Sequence, residues 1–574
     1  MGGPPTLQQR ARYAFDNLMA RGTPALIGWL ALATVAMIAL FSAIVLVGDF
    51  SPSEERHGLV GQTFESLLHT LDPGTIAEDD AHWPYLLTML LVTFGGLLVV
   101  SSLIGVIAAG LNVRIEEMRK GRSMVLEEGH TLIFGWSDTI FTVLAELEIA
   151  NENEKRPSAV VLAERDKVEM DDLIREKVRP KVTRVVTRSG SPIDLGDLAL
   201  VRPELARSIV ILSPEGEAEP DAQVIKTILA LTKGKQDGSL HRIVAEIEEP
   251  RNLRAANLVS EDEVVLIDKS ETIARLVVHS ARQSGASVAV TELLDFEGDE
   301  IYFREDPDLV GGTFGEALAA YEECSAIGLI DADGAVELNP DPARVLVEDD
   351  RVIAIAADDE QLATAAPSRG QVDFEAIALP PDRTPQPEKV LVLDWNCGVA
   401  SVIREFDKFL VPGSELLLVS DAAEANDCLK AQERQVANTT LEFRSGNPSD
   451  REQLEAVEPE RFDHVVVITA EALEAQRADA RTLVTLLHLR DIADRRGAEF
   501  TVVSEMIDDR NRRLAEVTKV DDVIVSDKVI SLMLTQISES SDLAKVFDEL
   551  FSAGGSELYL RPASDYVLPD REVD

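Results

Sequence analysis

GLVGQTFESLLHTLDPGTIAEDDAHWPYLLTMLLVTFGGLLVVSSLIGVIAAGLN (residues 58–112) is the stretch on which the fold turns. It opens with a short amphipathic segment, Gly58 to Leu71, followed by Asp72-Pro73-Gly74-Thr75 and the acidic run Glu78-Asp79-Asp80. From Trp83 to Val113 there are 31 positions without a charge, and Gly22 to Gly48 gives another 27 upstream. About 20 apolar residues, rising 1.5 Å each, cross roughly 30 Å of hydrocarbon. Both long runs therefore predict spans, at 22–48 and 83–113. Residues 58–71 are too few to cross and carry Glu65 and His69. Irregular backbone after them is tolerated at membrane depth only if it is buried in protein or lines a wet cavity. The pattern is helix, re-entrant loop, helix, the plan of one subunit of a tetrameric cation pore. The pore loop covers 58–80, with Thr70, Leu71, Asp72, Pro73, Gly74 and Thr75 at its filter. An ordinary outer loop carrying a surface helix is the competing reading.

Charge sets the orientation. Arg10, Arg12 and Arg21 precede the first run, and Arg114, Arg119, Lys120 and Arg122 follow the second. The loop between has eight acids and only Arg56. Lys and Arg mark the cytoplasmic side, so both termini are expected there, in an inner (plasma) membrane protein. The first run is too long for the apolar core of a signal peptide. Over 574 residues, 102 acids against 55 bases give a net charge of −47. A phosphate backbone needs a basic face, so nucleic acid is excluded as a partner. Cys324, Cys397 and Cys428 form no C-x-x-C pair and imply neither disulfides nor zinc. The second run contains Gly95-Gly96. This pair is the expected gating hinge, with close helix packing as the other use of the same glycines.

From His130 the texture changes. Apolar runs (HTLIFGW, SAVVLAERD, TRVVTRSG, ARSIVILS, HRIVAEIEE, EVVLIDKS) alternate with helical patterns. This predicts a parallel α/β sheet covered on both faces. The series returns from Lys389. RSGSP at 188–192 matches RSGNP at 444–448, DAQVIKTILAL matches DARTLVTLLHL, and RIVAEIEEPRNLRAA matches FTVVSEMIDDRNRRLAE. The offsets run from 256 to 259, so the body is a duplication. The expected order is a cytoplasmic arm (1–21), the pore domain (22–113), a charged connector (114–129), a first Rossmann-like subdomain (130–284) and a small β-rich subdomain (285–365). A linker (366–388), a second Rossmann-like subdomain (389–540) and an incomplete second small subdomain (541–574) follow. That incompleteness points to a truncated chain.

The first strand of each copy ends in FGWSD (134–138) or DWNCG (394–398), without the glycines a dinucleotide fingerprint needs. Rossmann topology is expected; conventional nucleotide binding is not. No G-x-S-x-G, H-E-x-x-H or Walker lysine loop is present, so no enzyme is expected. Glu246 and Glu248 alternate on a strand and share a face. Asp221, which opens the preceding helix, can meet them at the sheet edge. Three carboxylates there are a candidate regulatory Ca²⁺ site, with a solvated acidic edge as the alternative. In copy two Asp479 and Glu505 survive, but Ile507 replaces the second glutamate.

RKGRSMVLEEGHTLIFGWSD (119–138), VVLAERDKVEM (160–170), RSGSP (188–192) and LNPDPARVLVEDDRVIAIAADD (338–359) carry a resemblance. The chain resembles channels with cytoplasmic RCK domains (regulators of potassium conductance), and most closely the Castor/Pollux family. The resemblance covers nearly the whole chain. It implies a homotetramer with a gating ring beneath the pore, regulated by Ca²⁺ in at least some members. Asp221, Glu246 and Glu248 fall where some Ca²⁺-gated relatives bind the ion. One departure matters. Potassium channels carry T-V-G-Y-G at the filter, and this chain reads Thr70-Leu71-Asp72-Pro73-Gly74. A ring of Asp72 carboxylates favours cations by field strength and does not give carbonyl caging of K⁺. Ca²⁺ permeation or weak selectivity is therefore the expectation.

Overall fold

The computed structural model describes residues 23–48, 59–71, 82–119, 121, 123–233, 242–260, 264–362, 376–378, 384–471 and 473–568. They fall into two compact units, residues 1–121 and 122–574. The arm at 1–21, filter residues Asp72, Pro73, Gly74 and Thr75, and most of the linker lie outside the described residues.

The first unit contains α1 (Thr23–Val47), α2 (Leu59–Leu71) and α3 (Trp83–Arg119). Ala25–Val47 and Trp83–Leu111 are long and apolar enough to cross a membrane. Leu32, Leu98 and Ile104 stand exposed on them. A helix apolar all round needs an apolar surrounding. Val45, Tyr85, Met89 and Val92 form the small core, and the Ser42 hydroxyl donates to Ser66 at 3.1 Å, tying α1 to α2.

The second unit is built on two six-stranded parallel sheets of identical topology. Copy one holds β1 (His130–Phe134), α4 (Thr139–Ala150), β2 (Ser158–Ala163), α5 (Lys167–Lys177), β3 (Arg184–Ser189), α6 (Leu195–Val201) and β4 (Ala206–Ile211). It continues with α7 (Pro220–Lys233), β5 (Arg242–Ile247), α8 (Pro250–Ser260), β6 (Val264–Asp268) and α9 (Lys269–Arg282). The strand order is β3-β2-β1-β4-β5-β6. After α10 (Ala286–Leu294), β7 (Glu300–Arg304), α11 (Phe314–Leu318), β8 (Ser325–Ile330), β9 (Val336–Leu338) and β10 (Arg351–Ala356) build a small antiparallel domain. Its β8–β9 hairpin turns at Gly334, whose φ of +74° suits glycine.

Copy two repeats the plan with β11 (Lys389–Leu393), α12 (Val399–Phe409), β12 (Ser414–Ser420), α13 (Ala425–Gln432), β13 (Thr439–Ser445), α14 (Arg451–Val457) and β14 (His464–Val467). Then come α15 (Ala475–Arg496), β15 (Thr501–Met506), α16 (Asp509–Glu516), β16 (Asp522–Val525), α17 (Ser526–Glu539) and α18 (Leu543–Phe551). The order is again β13-β12-β11-β14-β15-β16.

Sequence does not reveal where the last helix of each copy goes. Helix α9 leaves copy one and packs on α12 and strands β14 to β16 of copy two. Helix α17 leaves copy two and packs on α4, β4 and β5 of copy one. The two are exchanged. Nearly every side of α17 is buried, including Ile530, Leu532, Leu534 and Ile537. One apolar cluster runs from Ile133 in copy one to Phe551 in copy two, while the outer face of each sheet keeps its own cluster. Polar ties follow the same seam. Arg207 meets Glu539 at 2.7 Å, and Gly285 N–H donates to Asp522 at 2.7 Å.

Two carboxyls at this seam keep their protons to unusually high pH. Burial pushes Glu146 on α4 up to about 7, with Asp295 and Glu297 adding and Lys528 and the Phe296 N–H opposing. Burial likewise pushes Glu300 up to about 7, with Asp358 and Asp295 adding and Tyr302 and Gln536 opposing. A carboxyl raised on folding contributes stability that is complete below its ordinary value and is lost as pH rises through the folded value. For Glu146, rising from 4.5 to about 7, the loss amounts to about 3 kcal/mol. Calorimetric melting of the full chain should fall between pH 5 and pH 8. Glu146→Gln should flatten that fall and raise the pH 8 melting temperature; an unchanged pH profile in E146Q would refute the assignment.

Candidate functional site

The first candidate is the cleft above the carboxyl ends of β1, β2 and β4, where open α/β sheets take ligands. Strand β1 runs into Gly135, which has φ +89°, and a Cβ there would come within 2.7 Å of the Leu212 carbonyl. Glycine permits this turn and keeps β1 against β4. Trp136 follows, nearly buried, with Phe141 edge-on at 5.7 Å and the Arg165 guanidinium 5.1 Å from its ring centre. The cavity holds about 320 Å³ and is lined by Gly135, Trp136, Glu164, Arg165, Gln223 and Thr227, among others. An aromatic wall, a cation and a carboxylate can take a small polar organic ligand. The single glycine leaves no glycine-rich phosphate cradle.

Copy two carries the same cleft closed by its own side chain. Asp394 stands at the Gly135 position in the left-handed region, φ +75°. Arg481, at the position of Gln223, reaches Asp394 at 2.5 Å and Asp421 at 2.7 Å. Asp421 occupies the place of Glu164. Burial raises the Asp394 carboxyl, with Arg481 pulling it back down. The arginine thus staples the ends of β11 and β12 across the mouth.

The three carboxylates expected to bind Ca²⁺ lie at one sheet edge, but each is committed elsewhere. Asp221 is 2% exposed. It accepts from the N–H groups of Glu248 and Glu249 at 2.9 and 3.0 Å and from Asn252 at 2.8 Å. These bonds secure the start of α8. Glu246 is buried and lies 3.5 Å from the Lys269 ammonium, which also holds Asp527 at 2.7 Å. Burial raises Glu246, with Lys269 offsetting. Burial alone would depress Lys269, yet Asp527 and Glu246 carry it above its ordinary value. Glu248 accepts from the Ser213 hydroxyl at 2.9 Å. Among the described residues no group of three or more His, Cys, Asp or Glu is placed to hold a metal ion. As arranged, Asp221, Glu246 and Glu248 are held by protein hydrogen bonds and one ion pair.

Copy two confirms the structural role of Asp221. Asp479 accepts from the N–H groups of Ile507 and Asp508, each at 3.0 Å, and from Asn511 at 2.7 Å. The same three bonds recur although Ile507 replaces Glu248. Glu505 is buried and accepts from Asn396 at 2.9 Å, the Ser526 hydroxyl at 2.9 Å and the Thr469 hydroxyl at 3.1 Å. Ser526 stands where copy one has Lys269. The repeated Arg-Asn of PRN (250–252) and DRN (509–511) was the sequence signal for this cap.

In the membrane-type unit, α3 runs unbroken through Gly95 and Gly96. A Cβ on Gly95 would fall 2.3 Å from the Met37 sulfur, and one on Gly96 2.4 Å from the Thr70 carbonyl. Both glycines serve close packing here. Thr70 is buried, its hydroxyl donating to Ser66 O at 2.7 Å. The Leu71 side chain and Asp72 to Thr75 lie outside the described residues.

Two long apolar helices followed by paired Rossmann-like units with exchanged helices define the class: a membrane module joined to tandem RCK-type domains. The solved human SLO3 gating ring has this fold, at 15% identity, with TM-score 0.53 over 74% of this chain and 85% of that one. Residues 270–372 match a family described as "Castor and Pollux, part of voltage-gated ion channel". The chain is 32% identical to the probable ion channel CASTOR of Oryza sativa subsp. japonica, over 90% of its own length and 63% of the relative's. It is 32% identical to the ion channel CASTOR of Lotus japonicus over 90% and 65%, respectively. The chain is a sequence relative of the Castor/Pollux ion channels, and spans just under two thirds of the length of these relatives.

If Asp221 and Asp479 are both caps, replacing either with Asn should cost about 1–2 kcal/mol, since a charged acceptor gives way to a neutral one. Full-chain melting of D221N and D479N should show similar losses, equal with and without Ca²⁺. A loss in D221N that appears only with Ca²⁺ present would restore the metal-site reading.

Proposed function

We propose that the chain is one subunit of a homotetrameric, ligand-gated cation channel of the inner membrane, with both termini cytoplasmic. The observation that carries this is one of succession. Two bilayer-length apolar helices flank a short amphipathic helix. The same polypeptide then continues into a tandem Rossmann-like body, and 90% of it aligns with channels. The acidic continuation of α2, beginning at Asp72, suits a ring of carboxylates that admits cations with Ca²⁺ permeation or weak selectivity.

The body supplies the gate. A ligand opens the pore only as far as it binds one state better than the other. The copy-one cleft has room for a small ligand where copy two is stapled, so we assign the regulatory ligand to that cleft. Bending of α3 at Gly95-Gly96 would transmit the change. A second reading keeps Ca²⁺ as the regulator at Asp221, Glu246 and Glu248. It requires Asp221 to release three hydrogen bonds and Glu246 to leave Lys269. A K⁺ channel, or a subunit regulating a separate cation transporter, is the remaining alternative.

Liposome flux with Na⁺, K⁺ or Ca²⁺ as the only permeant cation tests the proposal, with Ca²⁺ added or omitted on the cytoplasmic side. Flux of more than one cation is expected, and Asp72→Asn should change the Ca²⁺-to-K⁺ flux ratio. Absence of flux under every condition would remove the channel reading, and an unchanged ratio in D72N would remove the carboxylate ring. If Glu246→Gln with Glu248→Gln abolishes a Ca²⁺ response while preserving flux, the second reading replaces the cleft.

A further inference from the structure

One surface of copy one runs against the charge of the whole molecule. Between α5 and the edge strand β3 lies a groove of about 980 Å³. Its walls carry Lys167, Arg175, Arg179, Lys181, Arg184 and Arg188, against the acids Glu127 and Asp171. That is six cations to two anions, in a chain with 55 bases to 102 acids.

Helix electrostatics explain only part of this. Cations in the last turn of a helix meet the negative end of its dipole, which accounts for Arg175 on α5. Lys167 is neutralised by Asp171 at 2.5 Å, and Arg184 meets Glu127 at 2.9 Å. Arg179 and Lys181 lie beyond the helix, exposed, with no carboxylate partner among the described residues. The loop that presents them is fixed, because the N–H groups of Lys181, Val182 and Thr183 all donate to Glu148.

Arg188 is the most informative member. It is 9% exposed, and its guanidinium donates to Ser123 O and Thr187 O, each at 2.8 Å, and weakly to the Ser123 hydroxyl at 3.4 Å. No carboxylate within ion-pair distance neutralises it among the described residues. Burial lowers its proton affinity, which Glu127 and Asp171 partly restore. A guanidinium held by carbonyls keeps its charge and leaves donors over.

The duplication supplies an internal control. Residues 175–188 hold six bases and one acid; the corresponding 430–445 hold Lys430, Arg434 and Arg444 against Glu433 and Glu442. Both segments make the same helix, loop and edge strand. The fold therefore does not require the basic groove.

We propose that this groove binds a multiply phosphorylated anion, with Arg179 and Lys181 as its outer contacts and Arg188 as the fixed charge at its base. Arginine suits phosphate by bidentate geometry, and clustered cations suit several phosphates at once. The phosphates can come from a lipid headgroup or from a free polyphosphate. Basic residues just past a membrane span attract anionic lipid, and Ser123, which holds Arg188, follows the end of α3 by four residues. The site does not depend on the channel reading, because binding is measured without flux.

The test uses the full chain in zwitterionic nanodiscs and labelled inositol hexakisphosphate, read by anisotropy. Saturable, salt-sensitive binding is expected. Arg179→Ala with Lys181→Ala should weaken it by about tenfold or more, with melting temperature unchanged. Lys430→Ala with Arg434→Ala, the copy-two control, should leave it unaltered. Repeating the titration in nanodiscs containing phosphatidylinositol bisphosphate separates the sources: reduced probe affinity identifies the headgroup, and unchanged affinity a free phosphate. No saturable binding at low salt, or equal affinity in R179A/K181A, would overturn the proposal.

Discussion

The second unit depends on the reciprocal burial of α9 and α17. Each sheet is covered on one face by helices of its own copy and on the other by two more of its own helices together with the last helix of its partner copy. Withdrawing α17 would expose Ile530, Leu532 and Leu534 on the helix and the inner face of β4 and β5 on the sheet. At ~2–3 kcal/mol for each large apolar side chain, neither copy tolerates that loss easily. The copies are therefore one folding unit even though each has a complete sheet. The seam also gathers the polar contacts that set its register: Lys269 between Glu246 and Asp527, Arg207 on Glu539, and Glu146 facing the start of the small β domain. The two copies thus meet along one continuous seam of packed side chains.

The duplication separates scaffold from site. What both copies keep is scaffold: the strand order, the Asp221 and Asp479 caps with their asparagines, and a buried glutamate on the fifth strand of each sheet. What differs is chemistry. Gly135 and Gln223 leave one cleft open; Asp394 and Arg481 close the other. Lys269 brings an ammonium into one buried network, and Ser526 brings an uncharged hydroxyl into the other. The basic groove lies in copy one, where the segment matching 430–445 carries twice as many bases. Both candidate ligand sites thus fall in the same half of the body.

Much of the fold was legible because it rests on local regularities. Near-continuous apolar strands, helix periods and repeated blocks define parallel sheets and their duplication. Two runs of bilayer length define the spans. The helix exchange was not legible, since burial on every side of a helix says nothing about which sheet covers it. The partners of the three expected metal ligands were hidden for a related reason. Alternation along β5 does bring Glu246 and Glu248 to bear on the same residue, Ser213. What the pattern could not show was that backbone N–H groups at the start of α8 already fill the Asp221 oxygens. Gly95 and Gly96 presented a similar ambiguity. The sequence allowed both hinge and packing, and the structure adds the close approach of Met37 and Thr70 to the two glycines.

Hydrogen exchange on the intact chain and on Val277→Ala tests the mutual dependence of the two copies most directly. Val277 belongs to copy one by sequence but is buried in α9 against copy two. Truncating it should speed amide exchange in β14 to β16 of copy two at least as much as in β4 and β5 of copy one. Faster exchange confined to copy one, with copy two unchanged, would contradict the exchanged-helix account.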